Sequence, residues 1–426
     1  MGLNRQISGG LAAGSVLALA ASLGASIAGC TGVAAEESVS EVQDAIGPAQ
    51  KVAIPSYYWF SDADWGGVTP QNGVGLAMLN PQNGRLEQLS SSSLAGFQSR
   101  LAQLQSQSPR PLVFGYVYTR YANTDPQNRD GGVHNRGVAE VTANIAQYFQ
   151  HFPSIDGIFL DEATVDCDFR LTYYQNVYQW MQANHPGKKI ALNPGTSNTA
   201  SVCYLTGTAS DPRKAGDILV TFEGTYASYA TCRERPAWEK NYPSDTFWHL
   251  VHGTPPSQLG HALALSRTRN AGWVYVTDLS TWNDIATNMA QHGADVLQNG
   301  ASYSAVHALG ARRGSSSYTF TATFDSPFTF HQAYIDSRSG GFQIGGTSAD
   351  YLIENNNFRV YGGTGSDWVW NPPPAPTPST SNQTISGTTY SWSLPLSSIS
   401  QSNPSISVVF RGGNSPSVTT PRCTIP

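Results

Sequence analysis

Charge is scarce in this chain. Only 12% of its 426 residues are Asp, Glu, Lys or Arg, the net charge is −5 at pH 7, and no basic block interrupts the sequence. Nucleic-acid binding draws most of its affinity from Lys and Arg that neutralise phosphates, so that class of partner is excluded. Long apolar runs are missing as well: beyond residue 30 nothing approaches the roughly 20 consecutive apolar residues of a membrane helix, and the body reads as soluble. No G-x-S-x-G elbow, H-E-x-x-H pair or P-loop occurs, which removes the carriers of serine-hydrolase, zincin and nucleotide chemistry. What is abundant is apolar residues, 40% of the total, together with Gly, Pro, Tyr and Trp. That is the composition of an ordered, exported type of protein with one large or two medium domains.

The first 30 residues carry Arg5 and then "LAAGSVLALAASLGASIAGC". A short apolar run after a basic start, ending in small residues, reads as an export signal. "IAGC" resembles the lipobox of bacterial lipoproteins, which makes Cys30 a lipidation candidate and the chain a cell-envelope protein held at a membrane. Cleavage after "VAA" at Ala35 is the alternative and gives an extracellular product. Residues 31–50 are polar and weakly patterned, as expected of a tether. Cys167, Cys203, Cys232 and Cys423 follow. An even count in an exported chain favours two disulfides, in any of three pairings, and the spacings fit no zinc site.

From Lys51 the texture changes to short β-branched or aromatic runs: "VAIPSYYW", "VGLAMLN", "PLVFGYVYT", "GIFLDE", "KIALNPG", "DILVTFEG", "FWHLVHG" and "GWVYVTDL". Most are separated by segments whose apolar positions recur every three or four residues. Strands alternating with amphipathic helices predict parallel pairing through crossovers, and eight such strands predict an α/β fold, a (β/α)8 TIM-type barrel over 51–300. An open doubly wound sheet is the alternative, but no Gly-rich dinucleotide turn follows the first strand. Residues 301–426 alternate with period two between Gly, Ser and Pro turns and predict an antiparallel β-sandwich, with "NPPPAPTPSTSNQ" as a loop inside it.

In "VTFEGTYASY" a single acid, Glu223, ends an apolar run, where a carboxylate is costly unless something uses or pairs it. "GIFLDEA" ends the fourth candidate strand with Asp161 and Glu162, which point to opposite sides if the strand stays regular. In a barrel of parallel strands these C-terminal ends converge on one mouth, so the acids could flank a single bond. Two carboxylates across a cleft are what glycoside hydrolysis requires. Acids at strand ends also cap helices or pair with cations, and for one acid alone that reading is preferred. Tyr57, Trp59, Trp65, Tyr116, Tyr118, Tyr121 and Tyr226 lie at or past strand ends, where flat rings with polar edges suit sugars, although some must fill the core. Asn80, Asn193 and Asp278, at the ends of the second, fifth and eighth runs, join Tyr57, Tyr116, Tyr118 and Tyr226 as substrate-binding candidates. Asp62 and Asp64 are as readily a solvated loop pair as substrate contacts. His249 and His252 are three apart on a strand, project to opposite faces and share no ion.

Taken together, "IPSYYWF", "LNPQNG", "GYVYTRY", "DGIFLDEA", "LNPG" and "FEGTY" resemble the spherulin-4-like (spherulation-specific) family, related to the endo-α-1,4-polygalactosaminidases, over residues 52–298. The resemblance implies a (β/α)8 glycoside hydrolase acting on galactosamine-containing polysaccharide, with Asp161 as nucleophile and Glu223 as general acid/base. Glu162 stands where the related galactosaminidases carry Asn, which points to contact with a substrate amine or to tuning of Asp161 through like charge. Two departures bear on substrate preference, namely "QNGRLEQ" after the second strand and the long loop at 122–137. The C-terminal region is similar to family 9 carbohydrate-binding modules, with Trp368 and Trp370 sharing one strand face. The expectation is an exported, monomeric, endo-acting retaining glycosidase that needs no metal or organic cofactor. In it burial against Tyr226 and neighbouring aromatics raises the Glu223 pKa. A surface carbohydrate-binding protein without turnover is the alternative.

Overall fold

The computed structural model describes residues 49–122, 136–165, 170–233, 235–301, 306–324, 330–403, 405–413 and 417–426. The export signal, Cys30, nearly all of the tether, Cys167 and most of the loop at 122–137 lie outside the described residues. Eight apolar runs form parallel strands that close in sequence order: β1 (Lys51–Ile54), β2 (Val74–Leu79), β3 (Leu112–Tyr118), β4 (Gly157–Asp161), β5 (Lys189–Leu192), β6 (Ile218–Thr225), β7 (Phe247–His252) and β8 (Trp273–Val276). Pairing of Lys51 with Trp273 and of Val52 with Val274 shuts the ring. The barrel is therefore closed and the doubly wound alternative is excluded. The first strand is shorter than the run "VAIPSYYW" predicts. Pro55 has no N–H to give to a ladder, so the chain turns there and leaves Tyr57 and Tyr58 in the loop above β1.

The helices outside the ring are α1 (Ser91–Gln105), α2 (Val138–His151), α3 (Leu171–Asn184), α4 (Cys203–Thr206), α5 (Tyr226–Tyr229), α6 (Leu259–Thr268) and α7 (Met289–Asn299). In α1 the Ser90 hydroxyl accepts the N–H of Ser93, and Phe97, Leu101 and Leu104 recur at helical spacing and are buried. The crossovers after β5 and β6 carry the single α-helical turns α4 and α5, with two short 3-10 helices, Ala237–Asn241 and Ser244–Thr246, also preceding β7.

Inside the ring Phe159 packs at 6.1 Å from the Tyr116 ring and 5.3 Å from Trp248. These rings mark the inward face of β3, β4 and β7. By alternation Asp161, two residues after Phe159, also faces inward. Strand β6 breaks the alternation. Val220 pairs with Trp248 but Phe222 pairs with His249, so Thr221 is an extra residue, a β-bulge. Val220 lies on the inward side with Trp248. Phe222 goes outward with His249, and Glu223, paired with Leu250, turns inward. A regular strand would have sent Glu223 outward.

Beyond the barrel, β9 (Val306–Arg313), β10 (Ser317–Phe324), β17 (Asn382–Ser386) and β18 (Thr389–Pro395) form a four-stranded antiparallel sheet. It faces a larger sheet built from β11 (Phe330–Asp336), β14 (Tyr351–Glu354), β15 (Asn357–Tyr361), β16 (Trp370–Asn371), β19 (Ser407–Gly413), β20 (Ser417–Thr419) and β21 (Cys423–Thr424). Phe320 and Trp392 from one sheet share a core with Ile353 and Phe410 from the other. A hairpin, β12 (Phe342–Ile344) and β13 (Thr347–Ala349), stands apart. Of the three disulfide pairings left open, the structure joins Cys232, just after β6 and α5, to Cys423 in β21. Cys203 is disulfide-bonded too.

The Cys232–Cys423 bond closes a loop of 191 residues, a length at which a cross-link restricts the unfolded chain strongly. Replacing Cys423 by Ser is expected to lower unfolding free energy by about 2–4 kcal/mol in urea titrations under non-reducing conditions. Equal midpoints for the two proteins would show that the cross-link constrains nothing of consequence.

Candidate active site

Six side chains, from the ends of four strands and from two loops, meet at the C-terminal mouth. The Tyr116 hydroxyl, from β3, donates to Asp161 Oδ2 at 2.6 Å. Asn193, directly after β5, donates from Nδ2 to Asp161 Oδ1 at 2.7 Å and to Glu223 Oε2 at 2.7 Å. One amide nitrogen thus serves two acids, a hydrogen for each. Since each oxygen lies 2.7 Å from that nitrogen, the two are at most twice that distance, 5.4 Å, apart. The indole N–H of Trp282, on the loop between β8 and α7, donates to Glu223 Oε1 at 3.0 Å. Tyr57, in the loop that Pro55 opens, packs edge-on to Tyr116 at 5.5 Å.

The backbone holds the bridging amide in one orientation. Asn193 Oδ1 accepts the N–H of Gly195 at 3.0 Å, which commits the nitrogen side to the acids. Gly195 sits at φ +67°, a conformation glycine adopts without strain, and its carbonyl accepts the Glu223 N–H at 2.9 Å. The Asn193 carbonyl in turn accepts the N–H of Ala163, just past the acids of β4.

At an effective dielectric near 20, two negative charges about 5 Å apart repel by roughly 3 kcal/mol. A hydrogen bond to a charged group contributes about 1.5–3 kcal/mol, so the donors largely offset that repulsion and burial decides. The Glu223 pKa is accordingly raised, with burial the largest cause and Asp161 adding to it, while the hydrogen bonds from Asn193 and Trp282 act in the opposite direction. Burial followed by the charges of Asp161 and Glu223 drives the Tyr57 hydroxyl far up. Burial and Asp161 do the same to Tyr116, so both phenols stay protonated donors. A buried pair of this kind can present one protonated and one ionised carboxyl to a bond between them.

Glu162 does not follow the alternation expected of it. Strand β4 ends at Asp161 and Glu162 takes φ +54°, with Arg120, Tyr121 and Ala122 likewise left-handed across the β3 exit. Such backbone costs energy and clusters where geometry is held for function. The Glu162 charge contributes to raising Tyr57, Tyr116 and Tyr121, which places it at this mouth. Tyr121 is 56% exposed at the rim.

Other candidates land elsewhere. Tyr118 pairs with Asp161 in the ladder between β3 and β4, but its ring carries the Arg136 guanidinium 4.0 Å from the ring centre. Tyr226 does not wall Glu223: its hydroxyl engages Gln258 and His261 at 2.9 Å, because α5 begins at this residue and turns it toward α6. Burial remains the largest cause of the Glu223 shift, as expected, but Tyr226 is not part of the wall that provides it. Asp278 accepts the N–H of Thr287 at 2.9 Å and also its hydroxyl, clasping the loop between β8 and α7. Asp62 accepts the N–H of Trp59, and Asp64 that of Ile285, so both serve loop structure. Trp65 is buried and Trp59 packs on Phe97, as core. Asn80 directly follows β2, and its Oδ1 is buried without a hydrogen-bond partner among the described residues. His249 lies outside the ring, between the hydroxyls of Tyr229 and Thr221, whereas His252 stands edge-on to Trp282 at 5.5 Å. Trp282 is the residue that sequence reading missed. It lies in the polar stretch "STWND" with no periodicity to mark it.

In the sandwich, Trp368 precedes β16 rather than sharing its face with Trp370, yet the rings meet at 5.9 Å. Both pack against Phe342 of the hairpin, at 5.3 and 5.6 Å, and Trp368 remains 54% exposed.

The raised Glu223 pKa has a consequence for stability. Between about 4.3, the ordinary glutamate value, and the higher folded value, the folded state binds more protons than the unfolded one, so stability falls as pH rises through that window. Glu223→Gln removes this titration. Melting temperatures across pH are expected to show wild type losing ground to the variant as pH rises through the window, and a difference flat with pH contradicts the assignment.

Residues 51–296, which span the whole barrel from β1 and most of α7, match the family model described as spherulation-specific family 4. Spherulin-4 of Physarum polycephalum is 26% identical over 267 residues, 61% of this chain and 70% of that protein. Among solved structures, the endo-β-1,4-mannanase of Thermotoga petrophila aligns with 8% identity and a TM-score of 0.41 over 89% of this chain and 98% of that one. A family 39 glycoside hydrolase of Bacteroides cellulosilyticus WH2 aligns with 12% identity and a TM-score of 0.40 over 83% and 80% of the respective chains. The stretch matched by the family model carries Asp161, Asn193, Glu223 and Trp282 alike, and with well over half its length inside that model the chain belongs to spherulation-specific family 4.

Proposed function

We propose that the protein is a retaining glycoside hydrolase that cleaves galactosamine-containing polysaccharide from within the chain. The observation that carries the reading is the single Asn193 amide bonded to both Asp161 and Glu223. It holds the two bonded carboxylate oxygens within 5.4 Å of each other, which fits the short spacing of about 5–5.5 Å at which one carboxylate can act as nucleophile and the other as acid/base.

In the first step protonated Glu223 gives its proton to the glycosidic oxygen as that bond breaks, and an Asp161 oxygen bonds to the anomeric carbon. In the second step Glu223, now ionised, takes a proton from water, whose oxygen displaces Asp161 and restores it as a carboxylate. Tyr116 and Asn193 orient Asp161, while Asn193 and Trp282 orient Glu223. Asp161 complements a protonated amine on the sugar, and Glu162 adds a second negative charge at the mouth. Tyr57 and Tyr121 offer ring faces, and Asn80 offers an acceptor.

The barrel acts as the catalytic domain and the sandwich as an accessory domain in which Trp368, Trp370 and Phe342 meet a sugar. The export signal places the protein outside the cell membrane, and lipid on Cys30 keeps it at the envelope.

Asp161→Asn and Glu223→Gln are each expected to lower the turnover of galactosamine-containing polymer by at least about 10²- to 10⁴-fold, while polymer binding persists. Product release measured by reducing ends decides. Wild-type protein that binds amino-sugar polymers and releases nothing supports the carbohydrate-binding alternative.

A further inference from the structure

Both oxygens of Glu223 are held by neutral donors that cannot accept a proton. Asn193 is fixed by its own bond from Gly195, and an indole N–H is a donor only. Asn193 belongs to the barrel rim, but Trp282 arrives on a loop that is itself fastened at three points. Asp278 clasps Thr287, Asp64 accepts the Ile285 N–H at 2.9 Å, and the Tyr275 hydroxyl accepts the Ala286 N–H at 2.8 Å. Across residues 280–284 every residue is exposed except Trp282, whose indole turns inward between His252 and Tyr275.

We propose that Trp282 is a positioning residue that sets the protonation of Glu223: its N–H stabilises the carboxylate on Oε1, and withdrawal of the indole lets Glu223 take up a proton. This rests on the reading of Glu223 as the acid/base. A carboxylate with two donors is a poor proton carrier, since one oxygen must give up part of its acceptor role when it is protonated. Sugar entering the mouth competes for the position the indole holds, and loss of that hydrogen bond shifts Glu223 toward its acid form where the glycosidic oxygen needs it. The loop thereby couples occupancy of the site to proton loading.

The surroundings agree in sign. The groups that act on Glu223 are burial and Asp161, which favour the acid, and Asn193 and Trp282, which favour the anion. Glu223 in turn acts on Tyr57 and Tyr121, both shifted toward the protonated phenol, and Glu162 lies beside them. On the far side of the indole, burial favours neutral His252, which adds no positive charge to stabilise the anion. Among the described residues, the indole is thus the anion-stabilising contact to Glu223 that the loop after β8 supplies.

The test is the titration of Glu223 in the ligand-free protein, read from the carboxyl infrared band that disappears in Glu223→Gln. In Trp282→Phe, which keeps a ring against His252 and Tyr275, the protonated band is expected to persist to higher pH than in wild type. Thr287→Val loosens the clasp without touching the mouth and is expected to shift the band the same way by less. It decides the matter if Trp282→Phe does not fold. An unchanged titration overturns the proposal. If the hydrolase reading also holds, the basic limb of kcat/KM moves upward with the band. A band that shifts in a protein that cleaves nothing leaves Trp282 in its role and removes the hydrolase.

Discussion

One amide nitrogen holds this site together. Asn193 gives a hydrogen to each of two carboxylates that would otherwise repel across at most 5.4 Å, and everything else at the mouth serves that arrangement. Its orientation depends on Gly195, Gly195 is bonded to the backbone of Glu223, and Asn193 itself is bonded to the backbone beyond Asp161. The tops of β4, β5 and β6 are therefore sewn together through one short segment. Movement of any of the three strands would change the spacing on which the proposed chemistry depends.

A second constraint lies lower in β6. The bulge at Thr221 reverses the alternation, so that Glu223 faces the mouth while Phe222 faces the outer shell. There Phe222 packs on Tyr229 and His249, which is buried between hydroxyls and near Arg235. The segment leaving β6 then runs into Cys232 and its bond to Cys423 in β21. Backbone bonds between Cys232 and Thr424, and between Thr424 and Ala230, reinforce that junction. The sandwich is in this sense part of the support for Glu223, a few residues downstream of it, and not only an appended module.

Sequence pattern revealed the eight strands because each contains a short apolar run, and hydrophobic patterning survives without tertiary information. Asp161, Asn193 and Glu223 were legible for the same reason, as polar residues where such runs stop. What could not be read was direction. The bulge at Thr221 has no composition of its own, and the left-handed turn at Glu162 cancels the alternation that strand geometry implies. Tyr226 was misplaced because α5 starts at it and carries it to α6. Asp278 was spent on the loop that it closes. Trp282 escaped because a loop has no period, and its value arises only when the fold brings it to Glu223, 59 residues away in sequence.

The proposed double displacement rests on the shared amide, which keeps an oxygen of each acid within 5.4 Å of the other. Proton NMR of the sugar released from a galactosamine oligomer of defined anomeric form reads this directly, before mutarotation scrambles the signal. Double displacement predicts that the first-formed product keeps the anomeric configuration of the substrate. Inversion would contradict it, since that outcome needs a wider separation, about 6.5–9.5 Å, with a water between the acids.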